Sequence, residues 1–197
     1  MDHRNRLDIN EMTGRLALPS VFPSSFVRVP VMFVPDAVVL GSDMLAIGGA
    51  TWYEFGVLSS VYHFRWMQMV TGESDGVFHY TPERVYNTFA WPERNEESTA
   101  TITNAAKAVA AAREAIEGFT FARDYADMPE ALLSAHRNLD RAVARAYGLP
   151  EDATIDSVMS EIFRRYEILS GNPVRRSGDR HGGDRRSGFR LCEDGGA

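Results

Sequence analysis

The sequence predicts an α+β protein, a small β-rich region with a central buried helix followed by a three-helix segment. Three observations carry that reading. Short β-branched runs broken by Pro and Gly occupy residues 16–47. A dense apolar and aromatic stretch follows, from Thr51 to Gly72. Beyond residue 100, three stretches place apolar residues three and four apart.

Residues 1–15 are polar and charged without a clear period, and read as a flexible N-terminus. Leu16 to Pro19 is a short apolar run. Phe26 to Val34 is rich in β-branched residues, and its Pro30 requires an edge or a bulge because proline cannot donate to a ladder. Ala37 to Leu40 follows a Pro35-Asp36 turn, and Leu45 to Ile47 precedes Gly48-Gly49. These runs predict three or four short strands.

The helix after them carries Tyr53, Phe55, Gly56, Leu58, Val61, Tyr62, Phe64, Trp66, Met67 and Met69. They cover more than one face, which predicts a mostly buried helix. Thr51 and Glu54 have the spacing of a capping box, and Gly72 suits the C-terminal end. From Ser74 to Tyr80 the pattern alternates, with Asp75, Val77 and His79 on one face and Gly76, Phe78 and Tyr80 on the other. Pro82 stops this strand, and Val85 to Glu93 reads as an aromatic loop.

Residues 94–99 form a charged linker. An alanine-rich helix follows from Ala100 to Glu117, packing through Ile102, Ala105, Ala106, Val109, Ala110, Ala112 and Ile116. A second helix starts at Met128-Pro129-Glu130 with the stripe Leu132, Ala135, Leu139, Val143 and Ala146. A third, from about Thr154 to Leu169, presents Ile155, Val158, Met159, Ile162, Phe163 and Tyr166. His136, Asp140 and Arg141 are read as packing or surface residues of a structural helix. Residues 171–197 hold six arginines and four acidic residues among Gly and Ser, the composition of a disordered Arg/Gly-rich tail. The domain plan is therefore 16–93 and 100–170, with the linker between them.

Composition bounds the function. The formal net charge of the 197 residues is −6, against the basic surface usual in a free-standing DNA-binding protein. Lys107 is the only lysine, so nearly all positive charge is arginine. No apolar run is long enough to span a bilayer, and the N-terminus lacks the apolar core of a signal peptide. The single cysteine, Cys192, excludes an internal disulfide and suits the cytoplasm, which is the expected location. The five histidines are scattered, and no Cys/His spacing indicates zinc.

Two motif blocks carry a family resemblance. The first runs from Phe55-Gly56-Val57-Leu58-Ser59-Ser60 through His63 and Trp66, then through Tyr80 to Val85-Tyr86-Asn87-Thr88-Phe89 and Trp91-Pro92-Glu93. The second is Met128 to Leu149, followed by a helix with Arg164-Arg165-Tyr166-Glu167. Their order resembles the target-recognition region and C-terminal helical segment of MmeI-type restriction–modification enzymes, over roughly residues 16–170. Such enzymes join a nuclease, an adenine-N6 methyltransferase and a DNA-reading domain in one chain.

The resemblance is to a piece. The family's Gly-rich S-adenosylmethionine loop and Asn-Pro-Pro-aromatic motif, which holds a flipped adenine, have no counterpart here. The only Asn-Pro is Asn172-Pro173, followed by Val174. The nuclease's Glu-x-Lys is absent, because Ala105 stands two residues before Lys107. No catalytic residue, metal site or cofactor is therefore expected in this chain, and S-adenosylmethionine and Mg²⁺ belong to the family's other domains. The start at Met1, inside the recognition region, reads as a split or broken gene, and a methyltransferase/nuclease partner chain is the implied companion.

In the family, residues of the short insert before the "VYN" block help choose the base. Counted back from Val85, the outward positions of that insert are Asp75, Val77 and His79, which are the candidates for base edges, and Arg65 and Arg84 are candidates for DNA phosphates. Asp75 would accept from a cytosine amine, His79 would donate to guanine, and Val77 would touch a thymine methyl. Glu73-Ser74 stands where the family usually carries a basic residue, so duplex binding by the chain alone is expected to be weak. The alternative is a non-catalytic remnant or protein-interaction module that no longer binds DNA.

Overall fold

The structure is a computed structural model, and it describes residues 14–171. The chain order is β1 (Gly14–Pro19), β2 (Val21–Pro23), β3 (Met32–Val34), β4 (Met44–Ala50), α1 (Trp52–Ser59), α2 (Val61–Thr71), β5 (Glu73–Ser74) and β6 (Val77–His79). A π-helical turn, Pro82–Tyr86, leads into α3 (Glu96–Glu114), α4 (Phe121–Asp124), α5 (Glu130–Ala146) and α6 (Ile155–Ser170). This is the expected α+β class. The expectations for the tail beyond Gly171, and for all but the last two residues of the N-terminal segment, lie outside the described residues. Those last two, Gly14 and Arg15, are strand.

The strands form two antiparallel three-stranded sheets, ordered β3-β1-β4 and β2-β6-β5. β1 is the centre of the first, pairing Leu16 with Phe33 on one side and with Ile47 on the other. The sequence reading of this region needs correction. Only Met32–Val34 of the 26–34 run is strand, because Val29 to Val31 is buried in an irregular path where the Val31 amide turns back to the Val29 carbonyl. No strand forms at 37–40. That segment is an exposed loop, with Val39 94% exposed, and the Arg15 guanidinium donates to the carbonyls of Pro35 and Val38 in it. Val21–Pro23, too short to show a pattern, is the strand that founds the second sheet.

The single long helix expected at 51–72 is two helices. Ser60 adopts an extended conformation, φ −73° and ψ 158°, and serves both as C-cap of α1 and N-cap of α2. Its hydroxyl donates to the Val57 carbonyl (2.7 Å) and accepts from the His63 amide. The capping box of Thr51 and Glu54 forms, and Gly72 closes α2 at φ 68°. Almost all of the apolar set on the two helices is buried; Met69, at 55% exposure, is not.

Gly56 sits where α1 meets α3 and α5. A Cβ there would lie 2.5 Å from Ile102 Cγ2 and 3.2 Å from Leu139 Cδ1, so only glycine allows this approach. Helix α3 starts at Glu96, capped by Asn95 with Ser98, so most of the expected linker is helix. Helix α6 packs against α2, where Trp66 meets Phe163 and Tyr166 with ring centroids 5.3 and 5.2 Å apart. One hydrophobic core therefore runs from Leu16 in β1 to Ile162 in α6, through both expected domains. Among the described residues no helix is long and apolar enough to cross a membrane.

Candidate nucleic-acid interface

The strand expected at 74–80 is a hairpin. Asp75 and Gly76 both have positive φ, 53° and 76°, the geometry of the two-residue turn that an Asp-Gly pair favours. Asp75 is therefore at the hairpin tip and not on a strand face with Val77 and His79. Across the turn Ser74 pairs with Val77 and Glu73 with Phe78.

What holds the hairpin is the other edge of β6. Val21 pairs with His79, Phe22 with Phe78 and Pro23 with Val77. The Tyr80 amide donates to the Ser20 carbonyl at 2.7 Å, and the Ser24 amide to the Gly76 carbonyl at 2.9 Å. Phe78 points inward, 4% exposed, and meets Phe22 and Phe64 edge-on at 6.0 and 5.8 Å. Cross-strand partners share a face, so the opposite face of this sheet presents Val21, Pro23, Val77, His79 and Ser74. Val21, Pro23, His79 and Ser74 are exposed, and Val77 is half-buried. Val21 and Pro23 escaped the sequence reading because their pairing is non-local.

Beneath this face the support is a buried polar link. His63 Nε2 lies 2.9 Å from Tyr80 Oη, tying α2 to the residue after β6. Burial pushes the His63 pKa down to about 3 and raises the Tyr80 phenol, so the pair is neutral. The Trp66 indole donates to Thr88 Oγ1 at 3.1 Å, which fixes the segment after the π turn. Val85, expected in a loop, is fully buried in that turn.

The two arginines occupy different surroundings. Arg84 is exposed on the π turn, and among the described residues its side chain makes no hydrogen bond or ion pair. Arg65 is exposed on α2, donates to Gln68 Oε1 at 2.9 Å, and borders a groove shared with Met69 on α2 and with Ile155 and Phe163 on α6. Near the hairpin, Glu73, Asp75 and Glu83 are exposed as well, so negative charge surrounds the candidate face. His136 and Asp140 are buried in the core, while Arg141 is exposed and donates to Asn138. Among the described residues no group of three or more His, Cys, Asp or Glu is placed to hold a metal ion.

Residues 3–93 match the MmeI target recognition domain, and residues 94–172 match the MmeI C-terminal domain. In three dimensions the chain is similar to the type IIL restriction–modification enzyme MmeI, solved in complex with DNA. The TM-score is 0.74 at 31% identity, over 82% of this chain and 22% of that one. The chain thus spans about a fifth of the length of that enzyme. Comparison with curated proteins gives no match.

Proposed function

This chain belongs to the MmeI family, of which it carries the target-recognition and C-terminal domains, and we propose that it reads DNA sequence on behalf of a catalytic partner. The observation that supports this reading most is the hairpin itself. Its tip Asp75 and its outward residue His79 are exposed, while its inward residue Phe78 and the residue after β6, Tyr80, are locked into an aromatic scaffold. A short β-ribbon of this kind fits the major groove, where alternate side chains meet base edges.

His79 and Val77 read from the strand and Asp75 from the tip. His79 donates to guanine, Asp75 accepts from cytosine, and Val77 contacts a thymine methyl. Arg84 and Arg65 take phosphates, which positions the ribbon without specifying sequence. Adenine-N6 methylation and cleavage, with S-adenosylmethionine and Mg²⁺, belong to a methyltransferase/nuclease partner chain, and the site of action is the cytoplasm.

Glu73 beside Asp75 favours a second reading, a protein-interaction module without DNA binding, because two carboxylates repel phosphate. A gel-shift titration of the full chain on duplex DNA at several salt concentrations separates the two. Two phosphate contacts give weak binding with a log–log salt slope of about −2. Tight, salt-insensitive binding contradicts the reading, and no binding at low salt favours the interaction module.

A further inference from the structure

A cleft of 580 Å³ opens between β3, α1, α3 and the segment leading into α4, built from elements other than the hairpin sheet. Its walls are apolar, formed by Met32, Phe33, Trp52, Phe55, Ile116 and Phe121 among others. The volume is in the usual range of ligand sites. One basic residue lines it, Arg113, and that residue is only 8% exposed.

Arg113 is an unusual buried cation. Its guanidinium donates to the Val31 carbonyl at 2.8 Å and to the Tyr125 hydroxyl, and it lies 5.1 to 5.2 Å from the ring centroids of Phe55, Phe121 and Tyr125. Among the described residues no carboxylate is within ion-pair distance. Glu114, one residue along α3, is exposed on the rim and makes no ion pair among the described residues. Two further donors of the cleft, Arg113 Nε and Trp52 Nε1, are buried and find no acceptor among the described residues. Buried charges and donors are costly when unpaired. Beside them, β3 is an edge strand whose outer side pairs with nothing among the described residues.

We propose that this cleft is a docking site for an extended segment of a partner polypeptide that adds to the free edge of β3 and sets a carboxylate between apolar side chains against Arg113. Strand addition satisfies the exposed edge, the alternating apolar side chains fill the cleft, and the acidic one supplies the missing counter-charge. The inference does not depend on the DNA reading, since no hairpin residue takes part.

The test uses the full chain and two acetylated, fluorescein-labelled heptapeptides of alternating valine and threonine, one with a central glutamate and its twin with glutamine. Fluorescence polarisation is expected to show saturable binding of the glutamate peptide and at least tenfold weaker binding of the twin. Ala110→Trp, which fills the cleft from α3 and leaves the Arg113 residue itself unchanged, abolishes binding while circular dichroism stays that of the parent. Equal binding of the twins, no binding at millimolar peptide, or unchanged binding by Ala110→Trp overturns the proposal. So does self-association of the chain in sedimentation that Ala110→Trp disperses, which assigns the cleft to a second copy instead.

Discussion

The Arg28 guanidinium lies 2.7 Å from the Asp140 carboxylate, and both residues are buried. The pair joins the segment before β3 to helix α5 across 112 positions of sequence. The other Asp140 oxygen accepts the Val61 amide at 2.8 Å, capping the start of α2. One carboxylate thus ties the β-rich part, the aromatic helices and the C-terminal helices together. Asp140→Ala leaves a buried guanidinium unpaired and is expected to cost about 3–5 kcal/mol. The double variant Arg28→Met with Asp140→Leu recovers most of that loss. Urea denaturation of Asp140→Ala, of the singles Arg28→Met and Asp140→Leu, and of the double checks this; additive losses in the last three contradict it.

Gly56→Ala tests the close packing of α1 on α3 and α5. Alanine gains about 1 kcal/mol of helix propensity. The added methyl meets Ile102, Ala106 and Leu139, all three fully buried on packed helices, and overpacking of this kind costs about 1–3 kcal/mol. The variant is expected to melt below the parent. A melting temperature raised by the substitution contradicts the account.

Acid sensitivity follows from the buried histidines. His63, with its pKa near 3 from burial, stays neutral in the folded chain. The unfolded chain takes up that proton near the ordinary value of about 6.5. Stability therefore falls as pH drops from 6.5 toward 3, with a slope approaching about 1.4 kcal/mol per pH unit for each such group. His136 adds to this, its pKa lowered by burial and by the charges of Arg113 and Arg28. Burial raises the Asp140 carboxyl and works the other way at the acid end, so the informative window is pH 5 to 6.5. There His63→Phe is expected to remove about half of the slope measured by urea denaturation. An unchanged slope contradicts it.

The helices were legible because their signals are local. Thr51 with Glu54, Gly72, and the stripes of α5 and α6 each act within a turn or two of chain. Ser60 was hidden by its setting, since a hydroxyl that ends one helix and starts the next sits in an unbroken apolar run. At the candidate site, alternation from Ser74 to Tyr80 masked the stronger Asp75-Gly76 turn signal, and β2 was invisible because its partners lie 54 to 58 residues away. Arg113 is not among the packing positions that spacing marks on the alanine-rich helix. Only the tertiary fold places Phe55, Phe121 and Tyr125 around it.

The central claim is that the exposed side of the hairpin chooses bases while its buried side is scaffold. Selection of preferred sites from a randomised duplex pool by the full chain, by Asp75→Ala and by His79→Ala tests it most directly. Each substitution is expected to relax preference at one base position, by about 1–3 kcal/mol of discrimination, with non-specific affinity retained. Identical preferred sites for all three proteins would contradict the claim.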